Sequence, residues 1–175
     1  MRLSTMQKGV GLIEILVALL ILSVAVLGFV ALQIKAVEAA REASDRILAM
    51  NVARDLSEKI RINSTEITTY TAQMQTTESQ EKSSSNCFSN YCTASQKADF
   101  DVQQSYLNAL SLGMSMNMQA CPSGSNGKQC IYVAWGKTQP QNSDSETSSP
   151  NSCTLSTNNG FTYRNNSTCI VMEVF

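Results

Sequence analysis

The chain has 175 residues, 43% of them hydrophobic and 15% charged, with a formal net charge of −1, six cysteines and no histidine. That length holds one globular domain beside an anchor, and the charge balance gives no electrostatic pull toward nucleic acid. The missing histidine removes the mixed Cys/His zinc sites, and there is no C-x-x-C pair to replace them.

Met1 to Gly9, MRLSTMQKG, is polar and carries Arg2 and Lys8. Val10 to Leu32 follows, VGLIEILVALLILSVAVLGFVAL, a predominantly apolar run whose one charge is Glu14. At about 1.5 Å per residue, roughly 20 apolar residues span a hydrocarbon core. A carboxylate inside such a segment costs on the order of 2–3 kcal/mol. Its nearest relief is the positive end of the helix, if the helix starts just before it. Basic residues beside an apolar run stay on the cytoplasmic side, so the rest of the chain is expected to be exported. Three readings of this stretch stand side by side. One is a cleaved secretory signal with Ser23-Val24-Ala25 as its small-x-small site, although the run is long for a signal core and holds an acid. Another is a plain single-pass anchor with an incidental Glu.

The third rests on a resemblance. Lys8-Gly9-Val10-Gly11-Leu12-Ile13-Glu14 resembles the class III signal of type IV prepilins and pseudopilins, in which a short basic leader ends in Gly and an acid stands five residues after the cut. The resemblance implies a leader over residues 1–9, cleaved after Gly9 by the membrane-bound prepilin peptidase, and N-methylation of the new terminus, Val10. It also implies that Glu14 faces the N-terminal amine of a neighbouring subunit. An α-amine has a pKa near 7.7 and is largely cationic at neutral pH, so it is a fitting partner for a buried carboxylate.

From Gln33 to Ile62 there is no Pro or Gly. Ala36, Ala40, Ala43, Ile47, Met50, Ala53, Leu56 and Ile60 recur at steps of three and four, an apolar stripe at helical period. Glu42/Arg46, Arg54/Glu58 and Asp55/Lys59 place opposite charges at i,i+4. The spacing predicts one helix over residues 10–62, about 80 Å long, with an apolar half at 10–32 for the membrane or a filament core and an amphipathic half at 33–62. The stretch Glu14 to Asn63, with its SVAVLGFVALQ and DLSEKIRIN segments, resembles the PilV-type minor pilins of type IV pili. The strand YVAW and the C-terminal strand are loosely similar to the same family.

The remainder, 63–175, reads as an exported globular head. Residues 63–95 are rich in Ser, Thr and Gln and read as a loop region with little core. Asn63-Ser64-Thr65 and Asn166-Ser167-Thr168 match glycosylation sequons but read as polar surface loops. A helix is expected from Lys97 to Leu112, with Phe100, Gln103, Leu107 and Leu110 on one face and Gly113 as its stop. Met114 to Cys121 alternates as a half-buried strand with Met114, Met116 and Met118 as core filler. Residues 122–127 form a turn. Cys130 to Gly136, CIYVAWG, is the strongest strand. Lys137 to Asn166 reads as irregular, and Thr168 to Phe175 as a closing strand. The fold class expected is α+β: a long N-terminal helix on a small antiparallel sheet, with disulfides and the lollipop outline of type IV pilins.

The six cysteines, all within the expected exported part, read as a disulfide framework in an oxidising compartment. Fifteen pairings are open; short loops favour Cys87–Cys92, Cys121–Cys130 and Cys153–Cys169. Nothing points to an enzyme. There is no P-loop, no Gly-rich dinucleotide motif and no compelling acid pair, and Glu66, Asp99, Asp101 and Glu173 read as solvated surface. No cofactor or metal is expected. The resemblance implies a low-abundance subunit, held in the bacterial inner membrane with its head in the periplasm. From there it would pass to the pilus, at or near the tip on the cell surface. Its partners would be the prepilin peptidase, the inner-membrane assembly platform, other minor pilins, the major pilin and a tip adhesin. Motility, adhesion or DNA uptake would depend on it, without direct nucleic-acid binding. A minor pseudopilin of a type II secretion system would share Gly9, Glu14 and the long helix, and is the alternative.

Overall fold

A computed structural model describes residues 11–122, 127–157 and 160–174. The chain divides into two compact units, Met1–Ala43 and Ser44–Phe175. Helix α1, Leu12–Ile62, begins in the first and ends in the second. In the first unit every residue from Gly11 to Arg41 is exposed. The apolar run therefore has no tertiary partner in the described chain, and α1 is the helix that is long and apolar enough to cross a membrane. Two polar groups on this stretch are satisfied locally: the Ser23 hydroxyl donates to the Leu20 carbonyl at 2.7 Å, and Lys35 pairs with Glu38 at 2.7 Å.

The second unit is α+β. It adds a short 3₁₀ turn, Ser64–Glu66, then α2 (Ile67–Met74), α3 (Thr77–Glu81), α4 (Ala94–Ser111) and six strands. Strands β1 (Met114–Ala120), β2 (Gln129–Trp135) and β6 (Cys169–Val174) make an antiparallel sheet in the order β1-β2-β6. One face of this sheet presents Met114, Met116, Met118, Ile131, Val133, Trp135, Ile170 and Val174. Packed against it are Ala49, Val52, Ala53, Leu56 and Ile60 of α1, Tyr70 and Met74 of α2, and Ala98, Val102, Tyr106 and Ala109 of α4. Small residues on α1 and α4 let the helices approach closely, and methionine, with its unbranched flexible chain, fills the space that remains.

The other face of the sheet is covered too. Cys130, Tyr132, Ala134 and Cys169 form a second buried cluster with Cys153, and Cys121 and Val171 pack on it. Cys153 lies on β4 (Ser152–Thr157), the centre of a second sheet in the order β3-β4-β5, with β3 at Gln139–Ser143 and β5 at Gly160–Tyr163. Strand β2 is thus buried from Cys130 to Trp135 on both faces. That is why it reads as an unbroken apolar run rather than an alternation.

The second sheet departs from the expectation of irregular chain over residues 137–166. Its strands are built from Ser, Thr, Asn and Gln, so no apolar period announces them. They are held by polar side chains instead. Thr154 donates to Asn142 Oδ1 at 2.9 Å. Arg164 donates through Nε to Ser152 Oγ at 2.9 Å and through Nη2 to the carbonyls of Ser145 and Glu146 at 3.0 and 2.8 Å, clamping the loop that joins β3 to β4. Strands β3 and β4 run parallel, with an irregularity between Gln139 and Asn142. Pro140, which has no N–H to give a ladder, falls at that break.

Residues 63–95 likewise hold more structure than a loop. Helix α2 places Ile67, Tyr70 and Met74 at helical spacing, and Tyr70 and Met74 are fully buried. Gln80 is buried at the end of this segment. Its amide donates to the carbonyls of Met74 and Met116 at 2.7 and 3.0 Å, joining α2 to β1. Helix α4 starts earlier than Lys97, at Ala94, because Thr93 and Gln96 form a reciprocal capping box. Its inward face is Ala98, Asp101, Val102, Ser105 and Ala109; Leu107 and Leu110 point outward. On α1 the stripe is correct at Ala53, Leu56 and Ile60, whereas Ile47 and Met50 are exposed and Val52 and Ala49 take the buried places. Asp55–Lys59 forms at 2.7 Å, and Glu58 lies 3.9 Å from Arg61.

Candidate assembly helix and its braced head

Glu14 stands in the first turn of α1, and its backbone N–H donates to the Gly11 carbonyl at 2.9 Å. At that position the carboxylate lies at the positive end of the helix dipole, where an acid is favoured. It is the one charged residue between Leu12 and Ile34, on a surface that includes Leu16, Leu19, Leu20, Leu27 and Phe29, all more than half exposed. A solvent-facing helix of this composition is stable only in lipid or among other apolar helices. Gly9 and Val10 lie outside the described residues.

Within the head the polar groups are arranged to hold α2 and α4 on the last turns of α1. Asp101, expected on the surface, is buried. Its Oδ2 accepts from the Tyr70 hydroxyl at 2.9 Å and its Oδ1 from Lys97. Burial, joined by the nearby Asp101 carboxylate, pushes the Tyr70 phenol well above its ordinary range. Lys59 reaches from α1 to Ser105 of α4 at 3.2 Å while paired with Asp55. Sequence reading missed Tyr70 because it lies alone between Thr69 and Thr71, and Asp101 because a carboxylate beside Phe100 and Val102 reads as the solvated side of a helix. The one available signal was the i,i+4 spacing of Lys97 and Asp101.

The disulfides join Cys87 to Cys92, Cys121 to Cys130 and Cys153 to Cys169. Cys121–Cys130 closes the β1–β2 hairpin, and Cys153–Cys169 ties the two sheets together. Asp99 accepts from the backbone and side chain of Ser84 at 2.6 and 2.9 Å, and Glu173 pairs with Lys128, so both acids are structural contacts at the surface. Glu66 accepts from Thr69 at 2.7 Å. Among the described residues no group of three or more His, Cys, Asp or Glu side chains is placed to hold a metal. The head's surface hollows are open and small, from about 220 to 470 Å³.

Residues 31–103 match the protein-family model Tt1218-like, described as type IV pilin Tt1218. The match covers under half of the chain: the second part of α1, the 3₁₀ turn, α2, α3 and the first part of α4. No curated protein and no solved structure matches. The similarity supports a type IV pilin, a structural protein that assembles with other pilins. A long apolar helix continuous with an α+β head that carries three disulfides is consistent with that fold.

Proposed function

We propose that this chain is a minor pilin of a type IV pilus. In this reading it is cleaved after Gly9, N-methylated at Val10 and stored in the bacterial inner membrane by residues 10–32, with its head in the periplasm. It then joins a minor-pilin complex that primes filament assembly and supports the tip adhesin, and so serves motility, adhesion or DNA uptake. The observation that carries the reading is the exposed apolar first half of α1 with Glu14 in its opening turn.

The physics follows from that helix. Leaving lipid for a filament core exchanges one apolar surrounding for another, so close packing rather than the hydrophobic effect must hold the helix there. A carboxylate in that core needs a cation, and the N-terminal amine of the adjacent subunit is one. The pair then sets the axial register. A subunit at the extreme tip has no neighbour beyond it and no need of the acid, so a chain that keeps Glu14 sits beneath at least one other minor pilin. Mass spectrometry of the mature N-terminus tests the pathway. A start at N-methylated Val10 is expected, and a retained Met1 or a start beyond Ala25 would overturn it. Co-purification with pilus subunits is expected; co-purification with a secretion-system pseudopilin complex instead would favour the type II alternative.

A further inference from the structure

We propose that the loop Cys87–Cys92, with the adjoining face of α4, is a binding site for a neutral oligosaccharide. The loop reads Cys-Phe-Ser-Asn-Tyr-Cys. Its two rings face solvent: Phe88 is 81% and Tyr91 107% exposed, the most exposed aromatic side chains among the described residues of the head. The backbone that carries them is closed and hydrogen-bonded. The disulfide closes the loop on itself. Asn86 braces it from the base, its Oδ1 accepting from the Phe88 N–H at 3.0 Å and its carbonyl from the Asn90 N–H at 3.2 Å. Neither Cys87 nor Cys92 belongs to either buried cluster, whereas the other four cysteines sit in or against the second. This disulfide therefore stabilises the shape of one surface loop rather than the core, and pre-organisation of that kind lowers the ordering cost of binding.

The lining of the loop selects the ligand. Phe88 packs edge-on against Phe100, with centroids 5.0 Å apart and planes at 87°. The two rings border an open hollow of about 260 Å³ whose other walls are Asn86, Gln103, Gln104 and the serines at 83–85. That is just below the roughly 300–1,000 Å³ of sites for drug-sized ligands, and suits a single sugar ring. No charged side chain lines it, and the carboxylate beside it, Asp99, is already held by the Ser84 N–H and hydroxyl, so an ionic ligand gains little there. Ser83, Ser84 and Gln103 already donate to Ser85, Asp99 and Glu81, but a wholly apolar ligand would cover the Gln104 amide and the Ser85 hydroxyl with nothing to bond them. A pyranose meets both demands, offering C–H groups on one face to an aromatic ring and hydroxyls at its rim to Asn, Gln and Ser. Tyr, Ser and Asn around a fixed loop form the same combination of stiff amphipathic ring and adaptable hydrogen-bonding groups that antibody loops use.

The test uses the full chain in micelles of a zwitterionic detergent without a sugar headgroup. Saturation-transfer NMR with chitotriose, maltotriose and lactose is expected to show transfer to the ring protons of at least one of them. Phe88→Ala should weaken that binding by about tenfold or more, while Tyr163→Ala, an exposed ring on β5, leaves it unchanged. Far-UV circular dichroism melts of the variants should match the parent, since neither ring is buried. Absence of transfer to all three sugars overturns the proposal, as does transfer that survives the Phe88→Ala/Tyr91→Ala double change. If the two changes instead abolish co-purification with other pilin subunits and no sugar binds, the face is a subunit contact and the proposal falls. The readout is made on the purified chain, so it stands or fails independently of the N-terminal processing that tests the minor-pilin reading.

Discussion

At the scale of single residues, two carboxylates do opposite jobs. Glu14 is exposed in the isolated chain, and in the proposed filament its partner is the amine of a neighbouring subunit. If the proposed pairing holds, Glu14→Ala leaves a neighbour's amine unpaired in a low-dielectric core, a loss of about 3–5 kcal/mol. Incorporation into pili, measured by immunoblot of sheared filaments, should fall steeply, while the melting of the head is unchanged. Asp101 is already paired inside the head. Asp101→Ala would leave the Tyr70 hydroxyl only the long contact to the Lys59 carbonyl at 3.5 Å, at a cost of about 1–3 kcal/mol in a urea titration. Tyr70 also bears on pH. Its folded pKa is raised above the unfolded value near 10. The stability it contributes is therefore full below about pH 10 and is lost as pH rises from there through the folded pKa. Tyr70→Phe should flatten the decline of stability in alkali, with Tyr132, also raised by burial, retaining its own share of the slope.

Among the elements, α4 and the two sheets show how a head with few large apolar residues is held together. The Thr93/Gln96 capping box satisfies two of the orphan donors at the start of α4. Thr93→Ala should destabilise the head by about 1 kcal/mol in chemical denaturation. The disulfides differ in reach. Cys153–Cys169 spans 16 residues and joins two sheets, whereas Cys87–Cys92 spans 5 within one loop. Replacing both cysteines of the first pair by serine should cost about 2–5 kcal/mol, and the same change in the second pair distinctly less, because longer closed loops restrict the unfolded chain more. The comparison is made by thermal melts of the two double variants.

For the whole molecule, the parts whose signal is local were legible from the residues alone. An apolar run too long for a soluble helix, one acid near its start, a following stretch without Pro or Gly, and the continuous strand at 130–136 each follow from periodicity and length. The cysteine pairs expected from short loops are the ones the structure contains, because loops of 5, 9 and 16 residues need little chain rearrangement to close. What only the tertiary structure decided is where polar residues do the work of apolar ones. The Ser/Thr/Asn-rich strands β3 and β4 are sheet because Arg164, Asn142 and Thr154 bond across them and because β2 has a second face to cover. Helix α2 forms because Tyr70 and Met74 find a core that its own eight residues cannot supply. The inward face of α4 is Asp101 and Ser105 as much as Val102, and Leu107 and Leu110 turn outward. A hydrophobic period records burial in water-free surroundings. It cannot register a buried carboxylate whose tyrosine and lysine partners meet it only once the chain has folded.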